Sequence, residues 1–192
     1  MRVKICGVTT IGDALFAESS GADAIGIVVC SQSPRNVSLS VAKRILAALG
    51  RDTCGVLVSH TRSERDFSDI ISLNPSTVQV SHHFRVREND GVKLIRVIGQ
   101  GDTIPMDCDA IVVDDSLGSG KHYNPEFAKN AVKKSAVPVI LAGGLNPGNV
   151  RDAILEIRPY AVDVASGVES SPGIKDPGLV RAFILASKEC DE

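Results

Sequence analysis

Apolar residues gather in eight short runs along the chain, at 3–5, 24–29, 55–58, 77–80, 93–97, 110–113, 137–141 and 161–164. The runs are dense in Val and Ile and do not alternate with polar positions. That is the pattern of parallel strands buried on both faces. Between most of them the apolar spacing changes to that of amphipathic helices, with start and stop signals. Thr10 with Asp13 resembles a capping box for a helix ending by Gly21. Ser40 precedes Val41, Ile45 and Leu49, spaced four apart, and Gly50 closes that helix. Asn146 as N-cap with Pro147 at the first helical position precedes Val150, Ile154 and Ile157, and Pro159 stops the helix. Asp176 and Pro177 repeat the device ahead of Val180, Phe183 and Ile184.

One interval breaks the rhythm. Between Ile98 and Asp109 the sequence IGQGDTIPMDC is too short and too rich in breakers for a helix, so a loop is expected in place of the fifth helix. Eight strand–helix units in 192 residues average about 24 residues each, near the lower limit for a (β/α)8 barrel. A doubly wound sheet also alternates strands and helices. Eight evenly spaced strands, with no Gly-rich turn after the first, favour the (β/α)8 TIM barrel instead. No linker or low-complexity stretch divides the chain, which reads as a single barrel domain over 1–192.

Composition narrows the partners. With a formal net charge of -2, no global field recruits nucleic acid or an anionic membrane. No signal peptide and no bilayer-spanning run are evident. The five cysteines form no C-x-x-C pair, which argues against disulfides or a zinc site and for a reducing, cytoplasmic setting. His60, His82, His83 and His122 fall into no metal-ligating spacing, so no metal is expected.

In a barrel of this kind, function collects on the loops after the strand ends. The seventh run ends in LAGGLNP, so Gly143 and Gly144 expose backbone N–H groups just before a helix. The eighth ends in DVASGVES, so Ser166 and Gly167 stand where an extra short helix can begin. Either pair alone is as well explained by a tight turn; together, at successive strand ends, they favour phosphate binding. The first run ends in KICG. Alternation puts Lys4 and Cys6 on one side, with Cys6 at the strand's end. A thiol there can act as a general base if cationic or polar neighbours lower its pKa, although from position alone a packed core cysteine is the commoner outcome.

The sixth run ends in IVVDDSLGSGK, where alternation lets only one of Asp114 and Asp115 face the barrel mouth. A carboxyl at an apolar rim suits a general acid, and its neighbour suits a turn cap. The loop at 118–121 is glycine-rich and can close over a ligand, but lacks P-loop spacing. Arg35, fixed by Pro34, offers a fork for a carboxylate; most isolated loop arginines are simply solvated.

Taken together these strings resemble the phosphoribosylanthranilate isomerase family over nearly the whole length, in the short-loop form of its archaeal members. The matching landmarks are VKICG at 3–7, GADAIGIVV at 21–29, SPR at 33–35, VLVS at 56–59, VDDSLGSGK at 113–121, LAGGLNPGNV at 141–150 and DVASGVESSPGIKDP at 163–177. The resemblance implies an Amadori rearrangement of N-(5-phosphoribosyl)anthranilate in tryptophan biosynthesis, by proton transfer without a cofactor. It implies Asp114 as the acid that opens the sugar ring, Cys6 as the base at C2, and Arg35 on the substrate carboxylate. It places the phosphate on Gly143, Gly144, Ser166 and Gly167. The implied partner is a small phosphorylated substrate, with a monomer or homodimer as the working unit. The chain departs from the family's Q-L-H-G string at Gln79, Val80, Ser81 and His82, and has Pro125 where an aromatic residue is usual. Three rivals remain. A phosphosugar epimerase would need metal-binding positions at the strand ends, and the histidine-pathway aminoaldose isomerase would normally carry Asp in place of Cys6. A barrel that only binds phosphorylated ligands would have no need to keep Cys6 and Asp114.

Overall fold

The computed structural model describes residues 1–84, 91–114 and 123–191. Eight parallel strands form in chain order: Arg2–Cys6 (β1), Ala24–Val29 (β2), Cys54–Ser59 (β3), Thr77–Val80 (β4), Lys93–Ile98 (β5), Ala110–Val113 (β6), Val139–Leu141 (β7) and Ala161–Val164 (β8). Each pairs with its sequence neighbour, and β1 pairs on both sides. Lys4 is in register with Ala24 of β2 and with Asp163 of β8, which closes the sheet into a barrel. Closure removes both sheet edges, so every strand is covered inside and out.

Single-residue alternation sorts the core into two layers. Cys6, Val28, Val56, Val58, Ile95, Val112 and Ile140 fill the barrel interior. Val3, Ile5, Ile25, Ile27, Leu57, Ile111 and Val162 face outward, against the helices. Those helices are Ile11–Ser19 (α1), Leu39–Ala48 (α2), Glu64–Ile71 (α3), Pro125–Lys134 (α4), Val150–Ile157 (α5) and Pro177–Lys188 (α6). None of the described helices is long and apolar enough to cross a membrane.

Two helix starts differ from the sequence reading. Ser38, not Ser40, caps α2, its hydroxyl accepting from Val41 N at 3.3 Å. Ser40 lies two residues inside and shares a hydroxyl hydrogen bond with Ser38 at 2.9 Å. Asn146 and Pro147 form a turn ahead of α5, with Asn146 Oδ1 accepting from Gly148 N at 2.8 Å. Pro125 sits in the first turn of α4, whose N-cap Asn124 accepts from Phe127 N. Proline fits there because its missing N–H is one that a helix start leaves unpaired.

The interval between β5 and β6 holds turns and no helix, as the breakers predict. The described part of the preceding crossover is also non-helical. Arg96, outward on β5 and buried, takes over the covering role. Its guanidinium donates to the carbonyls of His82 and Phe84 at 3.2 and 2.8 Å and pairs with Asp107 at 3.2 Å. Phe84 is thereby pressed flat on Phe67 of α3, ring centroids 4.2 Å apart. Among the described residues, one cation and one aromatic pair cover a face that helices cover elsewhere.

The last helix closes the outer layer against β1, and its start rests on Asp176, whose Oδ1 accepts from Leu179 N at 2.9 Å. Asp176→Ala should lower stability by about 1 kcal/mol, while Asp176→Asn, which keeps the acceptor, should cost only a fraction of that. Urea midpoints at constant m-value measure both. Equal losses would mean that the cap is not what holds this helix start.

Candidate active site

A cavity of about 500 Å³ opens among the C-terminal strand ends. Its wall holds Cys6 from β1, Arg35 after β2, Asp114 after β6, Gly143 and Gly144 after β7, and Ser166 after β8. Six of the seven residues expected from the sequence therefore share one space. Gly167 is the exception and does not line the cavity. A Cβ at Gly167 would lie 1.9 Å from the Leu145 carbonyl oxygen, so its glycine permits the loops after β7 and β8 to pack together. Asp115, His122 and the loop at 118–121 lie outside the described residues.

Cys6 faces inward at the end of β1, in register with Gly26 of β2. A Cβ at Gly26 would meet the thiol at 2.7 Å, so the absence of that side chain is what gives Sγ its room. Burial pushes the Cys6 thiol above its ordinary value, and the cations of Lys4 and Lys175 pull it back towards thiolate. Lys4 points the same way, two residues earlier on the strand, as alternation requires. Its ammonium donates to Asp163 Oδ2 at 2.7 Å, and both side chains are buried. Burial alone would depress the Lys4 pKa, but the Asp163 carboxylate and Cys6 together hold it above the ordinary lysine value.

Arg35 is not an isolated, solvated arginine. Its Nε and Nη2 donate to the two carboxylate oxygens of Glu169 at 2.8 and 2.7 Å. Lys175 also reaches Glu169, at 2.8 Å, and donates to the Ala165 carbonyl at 3.0 Å. Glu169 and Lys175 face each other across a short antiparallel hairpin, Glu169–Ser171 with Ile174–Lys175, that follows the 3-10 turn Ser166–Val168. A guanidinium has two bidentate edges. Glu169 occupies the Nε–Nη2 edge, which leaves the Nη1–Nη2 edge to meet a ligand.

Gly143 and Gly144 have φ of 94° and 67°, which L side chains rarely adopt. Their carbonyls are tied back, Gly143 O accepting from Tyr123 N at 3.3 Å and Gly144 O from Asn149 Nδ2 at 2.9 Å. With no side chain at either position, the backbone here lies open to the cavity and a ligand can approach it closely. His60 reaches the rim and shares a hydrogen bond with Ser31 at 3.0 Å. His82 packs edge-on against Phe84 and His83 sits 3.6 Å from Asp107, both outside the cavity wall.

The sequence reading did not name Gly26, Asp163, Glu169, Lys175 or Gln79 as site residues. Charged residues set inside apolar runs, as in VKICG and AVDVA, were the available signal for Lys4 and Asp163, because a lone charge is too costly to bury. Glu169 and Lys175 lie in a loop where charges are ordinary, so pattern gave no warning.

The family model described as N-(5'phosphoribosyl)anthranilate (PRA) isomerase matches residues 3–186. A curated relative from Methanoregula boonei, named N-(5'-phosphoribosyl)anthranilate isomerase, is 54% identical over 192 residues, covering 100% of this chain and 98% of its own. The crystal structure of phosphoribosyl anthranilate isomerase from Thermus thermophilus superposes with a TM-score of 0.86 at 30% identity, covering 98% of this chain and 99% of that one. A structure of phosphoribosyl anthranilate isomerase in complex with reduced 1-(o-carboxyphenylamino)-1-deoxyribulose 5-phosphate gives a TM-score of 0.81 at 31% identity, with coverage of 98% and 99%.

The Glu169 carboxylate supplies a pH test of the network at the cavity mouth. Burial would raise its pKa, but hydrogen bonds from Arg35 and Lys175 outweigh that and hold it below the ordinary value of 4.5. A carboxyl depressed in the folded state stabilises the fold above its unfolded pKa, and the gain is lost as pH falls through the folded value. Glu169→Gln should therefore be less stable than the parent at pH 7, with the gap closing as pH drops below about 4.5. A gap in urea midpoint that stays constant with pH would show that the carboxylate's charge contributes nothing.

Proposed function

We infer, because the chain belongs to the N-(5'-phosphoribosyl)anthranilate isomerase family, that it catalyses the Amadori rearrangement of N-(5-phosphoribosyl)anthranilate. The product is 1-(2-carboxyphenylamino)-1-deoxyribulose 5-phosphate, in tryptophan biosynthesis. The observation that carries the assignment of roles is the sharing of one cavity by Cys6 and Asp114, with Arg35 and the Gly143–Ser166 loops on its wall.

Asp114 acts as the general acid. It donates a proton to the ring oxygen as the bond from that oxygen to C1 breaks, and the nitrogen lone pair forms the C=N bond of a Schiff base. Cys6, as thiolate, takes the proton from C2. The electron pair left behind forms C1=C2 and returns the C=N pair to nitrogen, giving an enolamine. Loss of the O2 proton and gain of one at C1 then yield the ketone. No electrons leave or enter the substrate, so two proton-transfer groups suffice for the bond changes.

Arg35 takes the anthranilate carboxylate on its Nη1–Nη2 edge. The phosphate lies on the amides of Gly143, Gly144, Ser166 and Gly167, the last through its backbone at the seam of the two loops. Anchoring both ends fixes C1, C2 and the ring oxygen between base and acid, which replaces a chance encounter with a fixed geometry. The whole span 1–192 acts as one barrel domain, as a monomer or homodimer in the cytoplasm, and its partner is this small phosphorylated substrate.

Loss of phosphoribosylanthranilate fluorescence, with the histidine-pathway aminoaldose as control substrate, tests the activity directly. Turnover of the control alone would assign the chain to the other isomerase, and turnover of neither would leave only a binding barrel. Cys6→Ser and Asp114→Asn should each lower kcat by roughly 10²–10⁴-fold while leaving KM within a few-fold. Near-normal kcat in either variant would remove that residue from its role. Asp115→Asn serves as the neighbouring-carboxylate control, and a larger loss there than at Asp114 would reverse the assignment. Glu169→Gln, which releases the held edge of Arg35, should raise KM by about tenfold and change kcat much less.

A further inference from the structure

Cys30, the first residue after β2, stands at φ 49°, a left-handed conformation that L side chains rarely adopt. Two other non-glycine residues among the described ones have positive φ. Asn74 follows α3 and Arg158 caps the end of α5, where such a turn is an ordinary helix stop. Cys30 ends no helix. It turns the chain out of the sheet into the loop that carries Arg35. Strain of this kind persists only where the surroundings hold it, and it gathers at functional sites.

What holds it comes from the neighbouring strand. Ser59, the last residue of β3 and 2% exposed, donates from Oγ to the Cys30 carbonyl at 3.2 Å. His60, next along, shares a hydrogen bond between Nδ1 and Ser31 Oγ at 3.0 Å. Ser31 Oγ already accepts from Ser33 N at 3.2 Å, which leaves its own hydrogen for the imidazole. Partial desolvation at the cavity rim lowers the His60 pKa against the opposing pull of Asp114, so the ring is neutral at pH 7 and Nδ1 can accept. Ser33 Oγ in turn accepts from Arg35 N at 3.2 Å. A chain of hydrogen bonds thus runs from β3 through two serines to the backbone of Arg35.

Serine and asparagine side chains also make turns unaided, as where Ser31 N donates to Asn36 Oδ1 at 3.0 Å. Such turns do not account for ties from another strand to the strained residue and the one beside it. Arg35 is confined at its other end as well. A Cβ at Gly7 would collide with Arg35 Cδ, so the arginine stem lies across the end of β1, and Glu169 holds one edge of the guanidinium. A planar fork pairs with a carboxylate only when it is aimed correctly, so the placing of its backbone decides what it can grip.

We propose that Ser59 and His60 are positioning residues for Arg35: the end of β3 clasps the loop after β2 in its strained turn and so aims the guanidinium into the cavity. The clasp rests on the isomerase reading in taking the gripped group to be the anthranilate carboxylate. It extends that reading by giving β3 a part in selecting the aromatic acid, exerted through Arg35.

Calorimetry tests this with the reduced product, 1-(o-carboxyphenylamino)-1-deoxyribulose 5-phosphate, and its phenylamino counterpart lacking the carboxylate. His60→Leu should bind the carboxylate ligand roughly threefold to tenfold more weakly than the parent and the phenylamino ligand equally well. His60→Asn, whose side-chain oxygen can stand where Nδ1 was, should restore the parent's affinity. In an Arg35→Met background His60→Leu should have no further effect. With the natural substrate, KM should rise by the same factor and kcat should change little. Ser59→Ala should act in the same direction, and His60→Leu at the exposed rim decides the matter if the buried change prevents folding. Equal losses for both ligands, a loss that persists without Arg35, or parent-like binding by His60→Leu each overturn the clasp. A parent that neither binds the reduced product nor turns over phosphoribosylanthranilate overturns the isomerase reading. Amide exchange then judges the clasp by itself: Ser31, Ser33 and Arg35 should exchange faster in His60→Leu and not in His60→Asn, and unchanged exchange overturns it.

Discussion

A 2.7 Å ion pair between Lys4 and Asp163 joins the first strand to the last inside the barrel, at the seam where the sheet closes. Removing two charges from water costs several kcal/mol each, and well-packed apolar residues in their place are often neutral or better for stability. Stability alone is therefore a poor account of the pair. Its position gives a better one. On one side Lys4 supplies positive charge to the buried Cys6 thiol, where burial works against the thiolate. On the other it fixes and neutralises Asp163, leaving one carboxylate oxygen on the cavity floor. A single pair thus closes the seam, supplies positive charge to the Cys6 thiol and sets the polarity of the floor.

The same balancing of charge recurs at the mouth. Arg35, Glu169 and Lys175 form a chain in which one carboxylate is shared by two cations, so the cluster keeps a net positive charge at the cavity mouth. Holding one guanidinium edge on Glu169 removes rotational freedom from a long side chain before any ligand arrives. Less entropy is then lost when the other edge is used. Lys175 is itself lowered by burial and donates to the Ala165 carbonyl, beside Ser166. The partner of Arg35 and the Ser166 turn are therefore built on one stretch of chain and cannot drift independently.

The legibility of this arrangement in the sequence follows the range of each interaction. Strands buried on both faces leave continuous Val and Ile runs, and all eight could be read from them. Alternation within KIC put Lys4 beside Cys6, and IVVDD put one carboxylate at the mouth. Helix starts were read less well because several polar residues compete to cap within one turn. Ser38 wins over Ser40 because its hydroxyl meets Val41 N from outside the first turn. The residues that pattern could not supply are those defined by contact across the barrel. Gly26 matters only because Cys6 is its register partner, Glu169 only because Arg35 lies 134 positions earlier, and Gln79 only because its buried Oε1 has no hydrogen-bond partner. Gly167 shows the converse: its glycine was legible, and the Leu145 carbonyl across the loop is what leaves no room for a side chain there.

Among the described residues the ring of helices is incomplete beside β5, and this follows from the same division of labour. A barrel needs its outer face covered, but the active face needs only the strand ends and their loops. Between β4 and β6, Arg96 gathers the His82 and Phe84 carbonyls and Asp107 onto one buried guanidinium, doing with four groups what a helix does with a full apolar stripe. The saving falls on the side of the barrel away from β7, β8 and β1, which carry Gly143, Gly144, Ser166 and Cys6 and the ion pair that joins first strand to last. The chain is short where only cover is required, and keeps full-length elements where geometry has to be held for chemistry.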